Sequence, residues 1–218
     1  MPVSIYHHVY LVSHLVSQLR PESVLDVGVG FGKWGHLFRE MTDIAASSDD
    51  FTRYCRSGWK CKIDGIEGFE PYLTDMHRFL YDQIHVGNML EVIKTLGNYD
   101  VIFMGDVIEH VEKDQGLQFL RDALDHANKA VILSTPAFEM PQHCATNALE
   151  DHRSVWTARD FKTFDRAYVT TAHSKILVAM LLKAGVDAPA MPRPFKSFVR
   201  TKLIQLLGAE RYEKLIGI

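Results

Sequence analysis

Apolar and polar positions along this chain fall into blocks whose period changes, and each change marks an element. Between residues 6 and 19 the apolar side chains are Val9, Leu11, Val12, Leu15, Val16 and Leu19. That spacing gathers them on one helical face, and Pro21 brings the helix to an end. An apolar run follows at 23–27, then glycines at every second position, then helical spacing again over 33–41. Residues 42–60 lose both periods and fill with Ser, Asp, Arg and Gly, which predicts an irregular surface excursion. Strand-like runs return at 61–67, 83–86, 99–104 and 130–134, with helical stretches at 71–81, 89–96 and 113–128. Residues 99–104 (Tyr-Asp-Val-Ile-Phe-Met) are almost continuously apolar, as expected of a central strand covered on both faces.

Strands alternating with helices imply right-handed crossovers and a parallel sheet. The end of the pattern departs from this. A helix at 158–164 leads into two β-rich runs, 167–173 and 175–183, with about one residue between them. So short a connection permits only a hairpin, which makes the final strand antiparallel to its neighbour. The expected fold is α/β: a doubly wound, mostly parallel Rossmann-like sheet of about seven strands with a C-terminal antiparallel hairpin. One domain is expected over 1–187, with the surface excursion at 42–60 and a long polar loop at 135–157.

Beyond it, 188–218 reads as a separate helical tail. Pro189, Pro192 and Pro194 break the chain, and 195–207 carries Phe195, Phe198, Val199, Leu203, Leu206 and Leu207 beside Lys196, Arg200 and Lys202. A basic amphipathic helix over 195–216 is expected to pack on its own domain, a second copy or another partner rather than on a membrane.

Composition narrows the class. A formal net charge of −3 makes no electrostatic case for nucleic acid or an anionic surface. Cys55, Cys61 and Cys144 are odd in number and form no Cys-x-x-Cys pair, so reduced thiols and a cytoplasmic setting are expected. The start of the chain lacks a signal-peptide pattern, and the apolar run at 176–182 is too short to span a bilayer.

The chemistry concentrates where the first strand meets Asp26-Val27-Gly28-Val29-Gly30-Phe31-Gly32-Lys33. Alternate glycines allow unusual dihedrals and a close approach of backbone to ligand, and the next helix presents free N–H groups there. A dinucleotide fingerprint needs glycine where Lys33 stands, and a phosphate loop needs glycine where Val27 stands. In a doubly wound sheet the other ligand contacts lie just past the strand ends. Those positions hold Glu67 (with Glu70 as a competitor), Asn88, and the string Asp106-Val107-Ile108-Glu109-His110. The loop after the fifth strand adds His143 and the string Asn147-x-x-Glu150-x-His152-x-Ser154-x-Trp156.

Asp26-x-Gly28-x-Gly30-x-Gly32 together with Asp106-Val107-Ile108-Glu109-His110 resembles the class I S-adenosylmethionine-dependent methyltransferases, and the terminal hairpin fits their sheet. The resemblance spans roughly residues 4–183. It implies S-adenosyl-L-methionine as cofactor, with Asp26, Gly28, Gly30 and Gly32 holding its methionine part. Glu67 would accept from the ribose hydroxyls. Asn88 would read the adenine where the family commonly has Asp, and Asp106 would border both cofactor and acceptor. The implied reaction is methyl transfer to a small molecule, oxygen being the first choice of atom. His110 is the first candidate for the base that removes the acceptor's proton, with His143 and His152 as alternatives.

The Asn/Asp-Pro-Pro-Tyr/Phe string of base-modifying enzymes is missing, so DNA is not expected as a partner, nor is RNA. The rival classes are an RNA- or protein-modifying methyltransferase and a non-catalytic cofactor-binding scaffold. Asp106, His110, His143, Glu150 and His152 are all metal-ligand types, but no tight spacing joins them and no metal is expected.

Overall fold

The computed structural model describes residues 6, 8–45, 51–173 and 175–190. Residues Met1–Ala188 form one compact unit. The basic helix expected over 195–216 lies outside the described residues.

Seven strands form a single sheet in the order β3-β2-β1-β4-β5-β7-β6. They are β1 (Ser23–Val27), β2 (Lys62–Glu67), β3 (Gln83–Val86), β4 (Tyr99–Gly105), β5 (Ala127–Pro136), β6 (Ala167–His173) and β7 (Ile176–Leu182). The first five run parallel, and β7 inserts antiparallel between β5 and β6. The expected mostly parallel sheet and its antiparallel hairpin are therefore both present. The central strands are sealed on both faces. Leu25, Val27, Ile102, Met104, Val131, Leu133, Ala179 and Leu181 share one core with Phe119, Leu120, Trp156 and Phe161. Strand order reverses between β1 and β4, so the carboxyl ends of those two strands leave a crevice.

The helices are α1 (Val9–Leu19), α2 (Lys33–Arg39), α3 (Asp75–Leu80), α4 (Met89–Val92) and α5 (Lys113–His126). Several are shorter than the periodicity predicts. The helical stretch at 71–81 splits into a 3-10 turn at Glu70–Tyr72 and α3, because Thr74 is extended and caps α3 together with His77. The helix expected at 158–164 is one 3-10 turn, Asp160–Thr163. There the Asp160 carboxylate accepts from the Thr157 N–H at 2.7 Å, a local bond that competes with helix propagation.

The excursion over 42–60 is anchored by a buried cation. Arg39, 1% exposed, donates to Asp43 at 3.1 Å, to Asp82 at 2.8 Å, and to the carbonyls of Leu80 and Cys61. Its guanidinium also lies 4.5 Å from the centre of the Trp59 ring. Among the described residues no helix is long and apolar enough to cross a membrane.

Candidate functional site

The crevice at the β1/β4 switch opens into a cavity of about 680 Å³, a volume typical of cofactor and small-molecule sites. Its floor is the turn after β1. Gly28, Gly30 and Gly32 have φ of 77°, 51° and 85°, the left-handed region that side chains avoid. A Cβ on Gly28 would stand 2.5 Å from Val107 Cγ2, so glycine there also lets the turn pack under the segment after β4.

Glu67, at the end of β2, fastens this turn. One carboxylate oxygen accepts from the Gly30 N–H at 3.0 Å and the other from the Phe69 N–H at 2.8 Å. Burial pushes its carboxyl above the usual range, and those two N–H groups oppose the shift. From the opposite side the buried His77 ring meets the Gly30 carbonyl at 2.9 Å through Nε2. Glu67 lines the cavity as expected. Glu70 sits exposed in the 3-10 turn beyond it.

Asp26 lies elsewhere than expected. It is fully buried, does not line the cavity, and accepts from the Tyr81 hydroxyl at 2.5 Å. Burial raises its carboxyl to about 7; the Tyr81 bond and Lys33 lower it and Glu67 raises it further. Its role is revised from holding a ligand to supporting the turn from beneath. Gly32 likewise leaves the wall and serves as the N-cap of α2. Gly28 and Gly30 remain at the surface of the cavity. Asn88 reaches the cavity too, but its side-chain oxygen accepts from the Leu90 N–H at 3.0 Å and caps α4. Only its NH₂ group and a second lone pair are left for a ligand.

The opposite wall follows β4. Asp106 holds φ of 55° and accepts from the Ser134 hydroxyl at 3.0 Å, and Ser134 Oγ lies 3.1 Å from Nε2 of the buried His8. Glu109 is 2% exposed, and one carboxylate oxygen accepts from Thr135 Oγ1 at 3.0 Å. Burial pushes its carboxyl well above the carboxylate range, and repulsion from Asp106 and Glu150 adds to this. His110 Nδ1 lies 3.3 Å from the Asp151 carbonyl. A carbonyl only accepts, so that contact puts the proton on Nδ1 and leaves the Nε2 lone pair free. Burial lowers the pKa of this imidazole, and the neighbouring His152 lowers it further.

The loop after β5 closes over this wall because its backbone is stitched to it. The Arg153 and Ser154 N–H groups both donate to the Glu109 carbonyl, at 2.7 and 3.1 Å. The buried Trp156 indole donates to the Ser154 hydroxyl at 2.9 Å and to the Ile108 carbonyl at 3.3 Å. His152 is thereby carried to within 4.9 Å of His110, ring centre to ring centre, edge to face.

His143 is not. Its ring is paired with Asp151 at 3.0 Å, its side chain is 79% exposed, and it does not line the cavity, so it is removed from the candidate bases. Asn147 of the loop string and Lys33 after the glycines also line the cavity, as do Tyr72 and Leu149, to which no sequence motif points. The Asn147 amide donates to the Tyr72 hydroxyl at 3.1 Å, tying the loop to the β2 side. Seventy-five positions separate that pair, so no local pattern signals it.

No family model matches this chain, and no curated protein matches its sequence. Solved structures match its fold. The DhpI–SAM–HEP complex superposes with a TM-score of 0.55 at 10% identity, covering 81% of this chain and 87% of that one. The N-methyltransferase NodS from Bradyrhizobium japonicum, bound to S-adenosyl-L-homocysteine, gives 0.52 at 13% identity over 81% and 85%. An O-methyltransferase family protein from Burkholderia thailandensis gives 0.54 at 13% identity, covering 81% of this chain and 55% of that one. The shared feature is the fold, that of the class I S-adenosylmethionine-dependent methyltransferases.

Proposed function

We propose that this protein transfers a methyl group from S-adenosylmethionine to an oxygen atom of a small-molecule acceptor. One observation carries the reading. A single cavity joins a glycine turn locked by Glu67 to a corner formed by Glu109, His110 and His152. The residues fit such a cofactor. The turn brings bare backbone to the cavity at Gly28 and Gly30, and each Glu67 oxygen keeps a lone pair for a ribose hydroxyl. Val29, Ile66, Met89 and Leu90 supply apolar surface beside Asn88 for a flat base.

S-adenosylmethionine supplies an electrophilic methyl carbon on its sulfonium; the remaining tasks belong to the chain. In-line alignment of the acceptor provides much of the acceleration in such transfers. Its lateral walls are Tyr72, Asn147 and the loop through His152 on one side and Asp106 to Val111 on the other. An oxygen acceptor must also lose its proton as the new C–O bond forms. Glu109, His110 and His152 stand where that proton would leave. The near-neutral charge favours a small acceptor over RNA, which would call for a basic face.

Titration calorimetry of the full chain with S-adenosylhomocysteine and with NAD tests the cofactor. Binding of the first and not the second is expected, and the reverse preference would discard the reading. Incubation with methyl-labelled cofactor and cell extract then tests the acceptor. Label is expected in the small-molecule fraction, and label confined to RNA or protein would overturn that part.

A further inference from the structure

The corner of the cavity holds an arrangement that acid–base chemistry alone does not require. One ligand-type atom from each of Glu109, His110 and His152 lies within 4.8 Å of the other two. Ligands about 2.0–2.2 Å from a metal ion stand roughly 3–4 Å apart. Small side-chain rotations would therefore close this trio on a cation.

Two of the three already carry the outer contacts that orient metal ligands. His110 gives its Nδ1 proton to the Asp151 carbonyl at 3.3 Å, which fixes the tautomer that presents Nε2. Glu109 has one oxygen held by the Thr135 hydroxyl at 3.0 Å, which leaves the other to serve as the ligand atom. The third, His152, is set in place by its N–H to the Gln142 carbonyl at 3.1 Å and by the two N–H bonds from Arg153 and Ser154 to Glu109.

From this arrangement we infer that Glu109, His110 and His152 form a binding site for one divalent transition-metal ion. Two imidazoles and one carboxylate suit manganese, iron, cobalt or zinc; magnesium and calcium prefer oxygen ligands throughout. All three residues line the cavity, so the remaining coordination positions face the space assigned to the acceptor. This revises the sequence expectation of no metal. The site itself stands on the geometry of the trio, and its use in catalysis rests on the methyl-transfer reading. In that use the acceptor hydroxyl binds the ion, its acidity rises, and its proton leaves to solvent. The oxygen lone pair then forms the C–O bond as the C–S bonding pair returns to sulfur.

The test is titration of chelator-stripped full-length protein with Co²⁺, followed by visible absorption and calorimetry. One equivalent is expected to bind with a ligand-field spectrum, and Mg²⁺ at the same concentration is expected not to displace it. His110→Ala and His152→Ala should each weaken binding tenfold or more, and His152→Gln gives a milder change should the alanine variant misfold. His143→Ala should bind as the parent does. Absence of stoichiometric binding, or equal affinity in parent and histidine variants, overturns the site. S-adenosylhomocysteine calorimetry on the same stripped protein separates the two proposals. Its binding without Co²⁺ binding removes the cation site alone, and Co²⁺ binding without it removes the methyl-transfer reading alone.

Discussion

At the scale of single residues, the acids of this protein divide by what they touch. Asp26 has no exposure, and its carboxyl is raised from 3.8 to about 7 chiefly by burial. An acid whose folded pKa is raised contributes stability that is complete below about pH 4 and is lost as pH rises through about 7. A shift of this size corresponds to something on the order of 4 kcal/mol once Asp26 is fully ionised. Asp26→Asn keeps an oxygen for the Tyr81 hydroxyl but does not titrate. Urea melts of the ligand-free protein at pH 5 and pH 8 should show the parent losing stability relative to Asp26→Asn; parallel loss in both would refute the assignment. Glu67→Gln is expected to behave differently. One of its two backbone donors, on Gly30 or Phe69, would meet an NH₂ group in place of an oxygen. The loss should be about 1–3 kcal/mol, with weaker S-adenosylhomocysteine binding in calorimetry. The places of Gly28, Gly30 and Glu67 at the cavity were legible in the sequence because they follow from local backbone and strand ends. The place of Asp26 was not, because its partner Tyr81 is 55 positions away.

At the scale of elements, local pattern and tertiary contact contributed unequally. The hairpin of β6 and β7 was legible because its short connection leaves one geometry. The helix expected at 158–164 was not realised, since Asp160 caps its own turn and Phe161 is drawn into the core. Neither could periodicity distinguish His152 from His143. They differ in what the loop does around them: Arg153 and Ser154 bond to Glu109, while Asp151 turns outward to His143. Trp156 is the pin of that loop. It is 1% exposed, bonds to Ile108 and Ser154, and lies 4.0 Å beneath the Lys113 ammonium, ring centre to nitrogen. Trp156→Leu removes both indole bonds and part of the packing, so a loss of roughly 3 kcal/mol is expected. If the loop positions His152, the same variant should weaken Co²⁺ binding while leaving S-adenosylhomocysteine binding nearly intact. Equal weakening of both ligands would mean that Trp156 supports the whole cavity rather than one wall.

For the whole molecule, the cavity is a joint between parts that the sheet alone does not connect. Its walls come from the ends of β1, β2, β3 and β4 and from the loop after β5, and Asn147 to Tyr72 is a direct bond across the mouth. A ligand that touches all of these binds only the folded state, and so stabilises it by mass action. At a hundredfold excess over its dissociation constant this amounts to about 2.7 kcal/mol, which for a domain of this size raises the melting temperature by roughly 5–10 °C. S-adenosylhomocysteine should produce that shift and NAD should not. Hydrogen exchange gives the more searching measurement, because it reads each wall separately. The cofactor product alone is expected to protect Gly28–Lys33 and Glu67–Asn88, the stretches proposed to hold its amino-acid and nucleoside ends. Protection of 151–153 should require Co²⁺ or an acceptor as well, since those residues pack at the Glu109–His110 corner, whereas Asn147 and Leu149 of the same loop reach the β2 side. Were S-adenosylhomocysteine to protect both regions fully by itself, the cavity would be one closed cofactor site with no separate place for an acceptor. Stepwise protection is what a two-substrate transfer needs, since the donor must bind without sealing the entry of the molecule it methylates.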